Sequence, residues 1–556
     1  MKFTKQIKKI EPKKTKIKII LLFLIVLLAS FLRLWDLSNS PAGLNADEAA
    51  IGYNAYSLIQ TGRDEHGQSW PVHFKSFGDY KPGFYFYLVL PLVKFLGLNI
   101  WSVRLPSALL GILAVWLVYL LVKELFKSEN LGLLSAFFLA ISPWHLHYSR
   151  GGWESNAANT FILLGILLFI KALKRPKLFT FSVLSFVVSL YTYHSARLVA
   201  PLLFIGLVII YAKKIFVKKN LKPIIIAVAI GLMVLLPLAK DFLGPAGISR
   251  FSGVGLLSDS GPFWRINELR GEHANPWGLM TRVLHNKLAA YGVAFGGNWL
   301  SHFNGNFLFL FGDVIERNRI PETGQMYLFD ILFLITGVYF LLKRKQEGWL
   351  VVFLWLVVAP VAAAMTFQTP HALRSNNMVF PLIIISAYGL WTLGKFLINK
   401  RKIFSMIFYF FISLFIIWNS TRYFHQYYVH YPQVYPAAWE DGFIDLIDEV
   451  KKIEGDYEKI YVTDRYDQPY ILFLFYLKYS PEKFQKEVQL TPRDQFGFST
   501  VRNFDKFQFG AINWDELKTK TNILVIGTPE EINTSATILK RIYFKNGQTA
   551  FLIVKV

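Results

Sequence analysis

The 556-residue chain contains no cysteine, which excludes disulfide bonds, cysteine-ligated zinc and a thiol nucleophile. Any part of it outside the cytoplasm must rest on ordinary core packing. Acid is scarce, with 37 Asp and Glu against 60 Lys and Arg and a formal net charge of +23. In a soluble chain that balance points to nucleic acid. Here the basic residues fall in short loops between apolar runs, and no nucleic-acid partner is expected. Also missing are a glycine-rich phosphate loop, a GxGxxG turn after a strand and an HExxH motif. His145 and His147 are the one close histidine pair, and two positions apart on a helix they diverge, so neither a metal nor a cofactor is expected. The absence of an internal repeat counts against transporters built from inverted repeats.

Apolar residues are present in excess. They make up 53% of the chain, and the mean hydropathy is +0.36, more than a soluble domain of this size can bury. A polytopic α-helical membrane protein follows. The apolar run 19–34 comes after eight lysines and one glutamate and reads as a retained first span with its basic end inside. Further runs at 101–122, 131–147, 157–172, 178–193, 198–212, 222–239, 327–342, 349–366, 376–396 and 403–419 bring the expected spans to about eleven. The basic loops KALKRPK, KKIFVKKNLK, KRKQEG and KFLINKRK fall inside, which leaves the N-terminus cytoplasmic. The run 83–97 is short and holds Pro91 and Lys94, so it is expected to lie at the membrane surface or re-enter it. Outside then lie the loops 36–100 and 240–326 and the tail 420–556, separating a membrane domain, 1–419, from an extracytoplasmic one. In the tail, the helical WEDGFIDLIDEVKKI and the strand-like KIYVT, NILVIG and TAFLIVKV predict a small α/β domain.

Reactive groups belong on the outside. In NADEAAIGYNAYSLI, Asn45 and Glu48 have the spacing of a capping box, which leaves Asp47 as the freer carboxylate of the pair Asp47 and Glu48. FGDYKPGFYFY places Asp79 and Lys81 where the chain returns to the membrane. The outer turns carry Arg150 and Glu154, then His194 and Arg197, then His371 and Arg374. Any one of these cations could snorkel to headgroups, but together they break the rule that keeps positive charge inside. Cations at the outer leaflet facing carboxylates suit a lipid-embedded substrate with an anionic leaving group, a polyprenyl phosphate carrying a sugar.

The acidic pair Asp47-Glu48, Lys81-Pro82 before an aromatic run, the segment WSVRLPSALLGILAVWLVYLL at 101–121 and the Ser149-Arg150 turn together resemble the GT-C superfamily. Within it the likeness is to the glycosyltransferase 39 family of protein O-mannosyltransferases and aminoarabinose lipid A transferases. That resemblance implies an inverting transfer in the cell membrane, with the active site extracytoplasmic. The acidic pair Asp47 and Glu48 would be catalytic, with Asp47 as the general base, while Lys81 and Arg150 would contact the donor phosphate. A protein, lipid or glycan would be the acceptor, and no divalent metal is implied. The motif here reads KPGF where many relatives have KPP, and the loop 240–326 is too short for an inserted β-trefoil domain. A lipid-linked-sugar flippase or other transporter, or a surface-polysaccharide polymerase or ligase, is the alternative. Ionisable groups kept at span ends rather than mid-membrane favour the enzyme.

Overall fold

The computed structural model describes residues 12–244, 255–256, 259–494, 498–533 and 536–556. All eleven apolar runs are largely helical, but among the described residues only seven helices are long and apolar enough to cross a bilayer, which corrects the expected eleven. These are Lys16–Leu34, Ile100–Phe126, Glu154–Ala172, Ala196–Ile215, Lys218–Asp241, Asn376–Lys400 and Lys402–Val434. Local chemistry shortens the other four. The run 131–147 is cut at Pro143, where Ser142 caps a new helix by accepting from the His145 N–H at 3.4 Å. Pro360 interrupts the run 349–366. The run 178–193 forms only the 13-residue helix Leu178–Leu190, and 327–342 forms the 15-residue helix Asp330–Arg344. At 1.5 Å per residue, 13 residues reach about 20 Å, short of a hydrocarbon core of about 30 Å.

The elements that frame the outer face are α1 (Pro12–Leu34), α2 (Ala46–Thr61), the hairpin β1 (His73–Ser76) and β2 (Asp79–Pro82), then α3 (Phe84–Leu96) and α4 (Ile100–Phe126). The run 83–97 is the 13-residue α3, with Pro91 inside it. One face, carrying Tyr85, Phe86, Val89 and Val93, is buried, while Phe95 and Leu96 are exposed. Phe77 and Gly78 both take positive φ, 53° and 78°, the twist that a two-residue hairpin loop requires.

In the tail a mixed sheet of six strands runs β4-β5-β3-β6-β8-β7. The strands are β3 (Lys459–Val462), β4 (Asn503–Phe504), β5 (Phe507–Phe509), β6 (Ile523–Gly527), β7 (Ile538–Tyr543) and β8 (Thr549–Lys555). The expected strands in KIYVT, NILVIG and TAFLIVKV are β3, β6 and β8, and the helix Phe443–Ile453 precedes them. The preceding helical stretch runs through residues 419 and 420 without a break and ends at Val434.

The tail and the first outer loop share one core. Ile51, Tyr53, Phe74 and Val103 pack in the same buried cluster as Phe443, Tyr470, Phe473 and Phe551. Close approaches fix the fit. A Cβ on Gly52 would meet the Phe475 ring at 2.5 Å, and one on Gly43 would meet the Trp439 carbonyl oxygen at 1.8 Å. Polar contacts add direction, since the Ser499 N–H donates to the Phe77 carbonyl at 2.9 Å and Gln485 Nε2 to the Asp64 carbonyl at 2.9 Å. The loop is thereby clamped between α4 and the sheet domain.

Candidate active site

Helix α2 begins with the expected capping box. Asn45 Oδ1 accepts from the Glu48 N–H at 3.1 Å, and the Glu48 carboxylate accepts from the Asn45 N–H at 3.4 Å. Glu48 is 1% exposed and grips Arg104 of α4 with both oxygens, Oε1 to Nε and Oε2 to Nη2, each at 2.9 Å. Its Oε1 also accepts from the Gly152 N–H at 2.6 Å. Arg104 donates in turn to the carbonyls of Leu37, Pro41 and Gly43. A carboxylate so enclosed reaches no substrate. The expected catalytic role of Glu48 is therefore corrected to a structural one, the clamp between α2, α4 and the segment 37–43.

Asp47, one residue earlier and so rotated by about 100° on the helix, points the other way. Its side chain is 34% exposed and pairs with Lys81. Arg317 Nη2 lies 3.9 Å from its second oxygen. Lys81 is carried by β2 opposite Phe74, and its ammonium sits 5.0 Å from the centre of the Phe77 ring. These three groups open on a cleft of about 230 Å³.

Seven of the ten residues singled out in the sequence line this cleft: Asp47, Asp79, Lys81, Glu154, His194, His371 and Arg374. Asp79 accepts from the Tyr80 N–H at 2.8 Å, and Glu154 opens the helix Glu154–Ala172. The His371 N–H donates to His302 Nε2 at 3.2 Å, and its imidazole lies 3.6 Å from Asp313. Arg374 donates to Thr366 Oγ1 at 2.8 Å.

Arg150 and Arg197 are not among the lining residues. Arg150 is 2% exposed and donates to the carbonyls of Leu32 at 2.8 Å, Ser40 at 3.0 Å and Asp36 at 3.3 Å. It also lies over the rings of Tyr427 and Tyr428. The C-terminal carbonyls of a helix lack intrahelical donors, and Arg150 supplies one to Leu32 of α1 and others to the turn that follows it, so the expected phosphate contact is corrected to a cap. Arg197 is turned towards His73, which joins it to Asp241, while its Nη1 lies 3.2 Å from His194 Nδ1. It stands behind the cleft wall.

Sequence reasoning missed Arg317. It comes from the loop 240–326, stands 5.9 Å from the centre of the Trp153 ring and lines the cleft beside Ile315 and Asn318. Burial works against its charge, yet Asp47, Glu440 and Asp467 hold its proton affinity above the ordinary value. The signal was available, since ERNRIP places two arginines in an outer loop. Arg104 was inside the motif RLPSA without a role. The tail also reaches the cleft through Phe498. Among the described residues no three His, Asp or Glu side chains gather closely enough to hold a metal ion.

Residues 80–239 match the family described as dolichyl-phosphate-mannose-protein mannosyltransferase. A putative mannosyltransferase of Bacillus subtilis, YkcB, is 27% identical over 222 residues, covering 40% of this chain. The chain spans 30% of that relative's length. Among solved structures, apo ArnT from Cupriavidus metallidurans superposes with a TM-score of 0.56 at 11% identity, over 97% of this chain and 98% of that one. The apo oligosaccharyltransferase of Archaeoglobus fulgidus gives 0.54 at 14% identity, over 93% and 70%. ArnT bound to undecaprenyl phosphate gives 0.52 at 9% identity, over 98% of each chain. The fold is accordingly the one that ArnT and the archaeal oligosaccharyltransferase share.

Proposed function

We propose that this GT-C-fold chain is an inverting glycosyltransferase that moves a sugar from a polyprenyl-phosphate donor to an acceptor on the extracytoplasmic face of the membrane. One observation carries the reading. A half-exposed carboxylate, Asp47, is held between two cations, Lys81 and Arg317, at the mouth of a cleft. The matching family and the undecaprenyl-phosphate complex of ArnT support the donor class. The positive-inside pattern supports a cytoplasmic N-terminus, a membrane domain and an extracytoplasmic tail.

The chemistry follows from charge. The donor phosphate competes with Asp47 for Lys81 and Arg317 and draws both cations to itself. Loss of two neighbouring positive charges raises the proton affinity of Asp47, which makes it a better base. The acceptor hydroxyl then attacks the anomeric carbon from the face opposite the phosphate. Its proton passes to Asp47, the bond from that carbon to the phosphate oxygen breaks, and the electron pair stays on the polyprenyl phosphate. Lys81 and Arg317 stabilise that charge, with Arg374 on the same wall. A single displacement with no enzyme-bound sugar inverts the configuration.

The test is consumption of radiolabelled polyprenyl-phosphate hexoses and pentoses by purified protein in lipid with EDTA present, comparing wild type with Asp47→Asn. Label leaving the donor with wild type alone is the expected result. Donor moved between leaflets but left intact would replace the transferase by a flippase.

A further inference from the structure

The loop that supplies Arg317 also holds a helix whose polarity is reversed. Lys287–Ser301 is a 15-residue helix with no buried residue. Its polar groups turn to the protein: Tyr291 Oη donates to the Asp259 carbonyl at 2.9 Å, and Asn298 Nδ2 to the carbonyls of Thr366 at 3.1 Å and Ala364 at 3.3 Å. Trp299 Nε1 donates to the Val357 carbonyl at 2.9 Å. The outward stripe is apolar, formed by Leu288, Ala289, Gly292, Val293, Gly297 and Leu300, and it carries no charge. Leu288 is 86% exposed and Val293 77%. A helix beside water turns its apolar face inward. This one does the reverse, and such a patch marks a surface that something apolar covers.

Its contacts set this helix at the level of the bilayer. The apolar run 349–366 ends beside the cleft, since Gln368, His371, Leu373 and Arg374 just after it line that cavity. Asn298 is bonded to the end of the run, and Trp299 to Val357 inside it. Val357 is itself 50% exposed, so the stripe extends an apolar surface of the membrane domain. The residues leading into the helix have matching chemistry. Trp277, Leu279 and Met280 are exposed, and the Arg282 guanidinium lies 5.7 Å from the centre of the Trp277 ring. The Lys287 ammonium lies 5.3 Å from that of Phe263. Rings, apolar side chains and cations interleaved in this way suit the headgroup boundary, where rings and aliphatic stems enter the apolar layer while the cations meet lipid phosphates.

We infer that the segment 277–301 is an interfacial anchor, which seats its apolar stripe in the leaflet on the cleft side of the membrane and sets Arg282 and Lys287 against lipid phosphates. The anchor leads directly into the cleft wall. His302, the next residue, accepts from the His371 N–H at 3.2 Å, and the same loop goes on to supply Ile315, Arg317 and Asn318 to the cavity. One wall of the cleft is thereby held at the height of lipid headgroups. The inference stands independently of the transferase reading.

The chain has no cysteine of its own, so single cysteines test the anchor without background. Leu288→Cys, Val293→Cys and Leu300→Cys, each labelled with the environment-sensitive fluorophore NBD, are placed as the full chain in nanodiscs of phosphatidylcholine and phosphatidylglycerol. Glu482→Cys, exposed on the tail, is the water-facing control, and Ile225→Cys, exposed on the span Lys218–Asp241, is the lipid-facing one. At two or more of the three positions the probe should emit to the blue of the Glu482 probe and resist iodide. It should also lose at least about twofold in intensity when the lipid carries a nitroxide on its acyl chain, as the Ile225 probe does. Emission and iodide quenching like those of the Glu482 probe would overturn the anchor. Blue-shifted emission that nitroxide lipid leaves unquenched would overturn it too, since protein, whether a second copy or another chain, would then cover the stripe.

Discussion

Asp47 and Glu48 are adjacent, chemically alike and assigned opposite roles, so the pair of variants Asp47→Asn and Glu48→Gln tests the whole construction. Glu48 neutralises Arg104 through two 2.9 Å contacts in a site where both side chains are at most 1% exposed. Removing one partner of a buried ion pair costs about 3–5 kcal/mol, because the other charge is left uncompensated. Arg104 keeps its three carbonyl acceptors in Glu48→Gln, so the lower end applies, roughly 3 kcal/mol, or about a hundredfold in the folded-to-unfolded ratio. The pair of Asp47 with Lys81 is partly exposed, and its loss should cost no more than about 1 kcal/mol. Thermal denaturation in detergent, followed by size-exclusion chromatography of the surviving protein, should show Glu48→Gln melting several degrees below wild type and Asp47→Asn close to it. Transfer should be abolished in Asp47→Asn alone when both are assayed below their melting temperatures. A Glu48→Gln protein with wild-type stability and no transfer would make Glu48 the reacting carboxylate and refute the reasoning. Transfer surviving in Asp47→Asn would remove the base.

Lys81→Ala and Arg317→Ala should each weaken donor affinity by roughly 2 kcal/mol, about thirtyfold, seen as a raised donor KM with little change in thermal stability. Arg150→Leu should do the reverse, lowering thermal stability by about 2–4 kcal/mol through the orphaned carbonyls of Leu32 and Ser40 while leaving the donor KM alone. Burial raises the Glu65 carboxyl to about 8 from an ordinary 4.5, against a hydrogen bond from Asn54. The folded chain thus holds a proton there that the unfolded chain has lost, and this contribution is fully present below pH 4.5 and disappears as pH rises through about 8. Glu65→Gln should therefore gain thermal stability over wild type at pH 8.5 and show little difference near pH 4.5; a constant difference across that range would contradict it.

The cap at Asn45 and the opposite directions of Asp47 and Glu48 were legible because a capping box is local: the third helical residue must turn back, and its neighbour then cannot. The hairpin lysine was legible because KP marks the re-entry of the chain at α3. Arg150 was misread because cations at an outer turn look alike in sequence. Which one meets substrate depends on where the carbonyls at the end of α1 come to lie. Four apolar runs were counted as spans because hydropathy registers composition, whereas Pro143 and Pro360 decide where hydrogen-bonded helix stops.

What the sequence determined by itself is everything set within a few residues or by bulk partition: the apolar helices, the cap, the strands of the tail and the outer placement of the reactive groups. Only the tertiary structure decided that Arg317 rather than Arg150 stands by Asp47, that Arg104 closes on Glu48, and that Phe498 of the tail reaches the same cleft. Those pairings join positions from tens to hundreds of residues apart. They exist because the aromatic core shared by the first loop and the tail brings otherwise distant backbones into contact. Burial then allows a charge to remain only where a partner or water meets it.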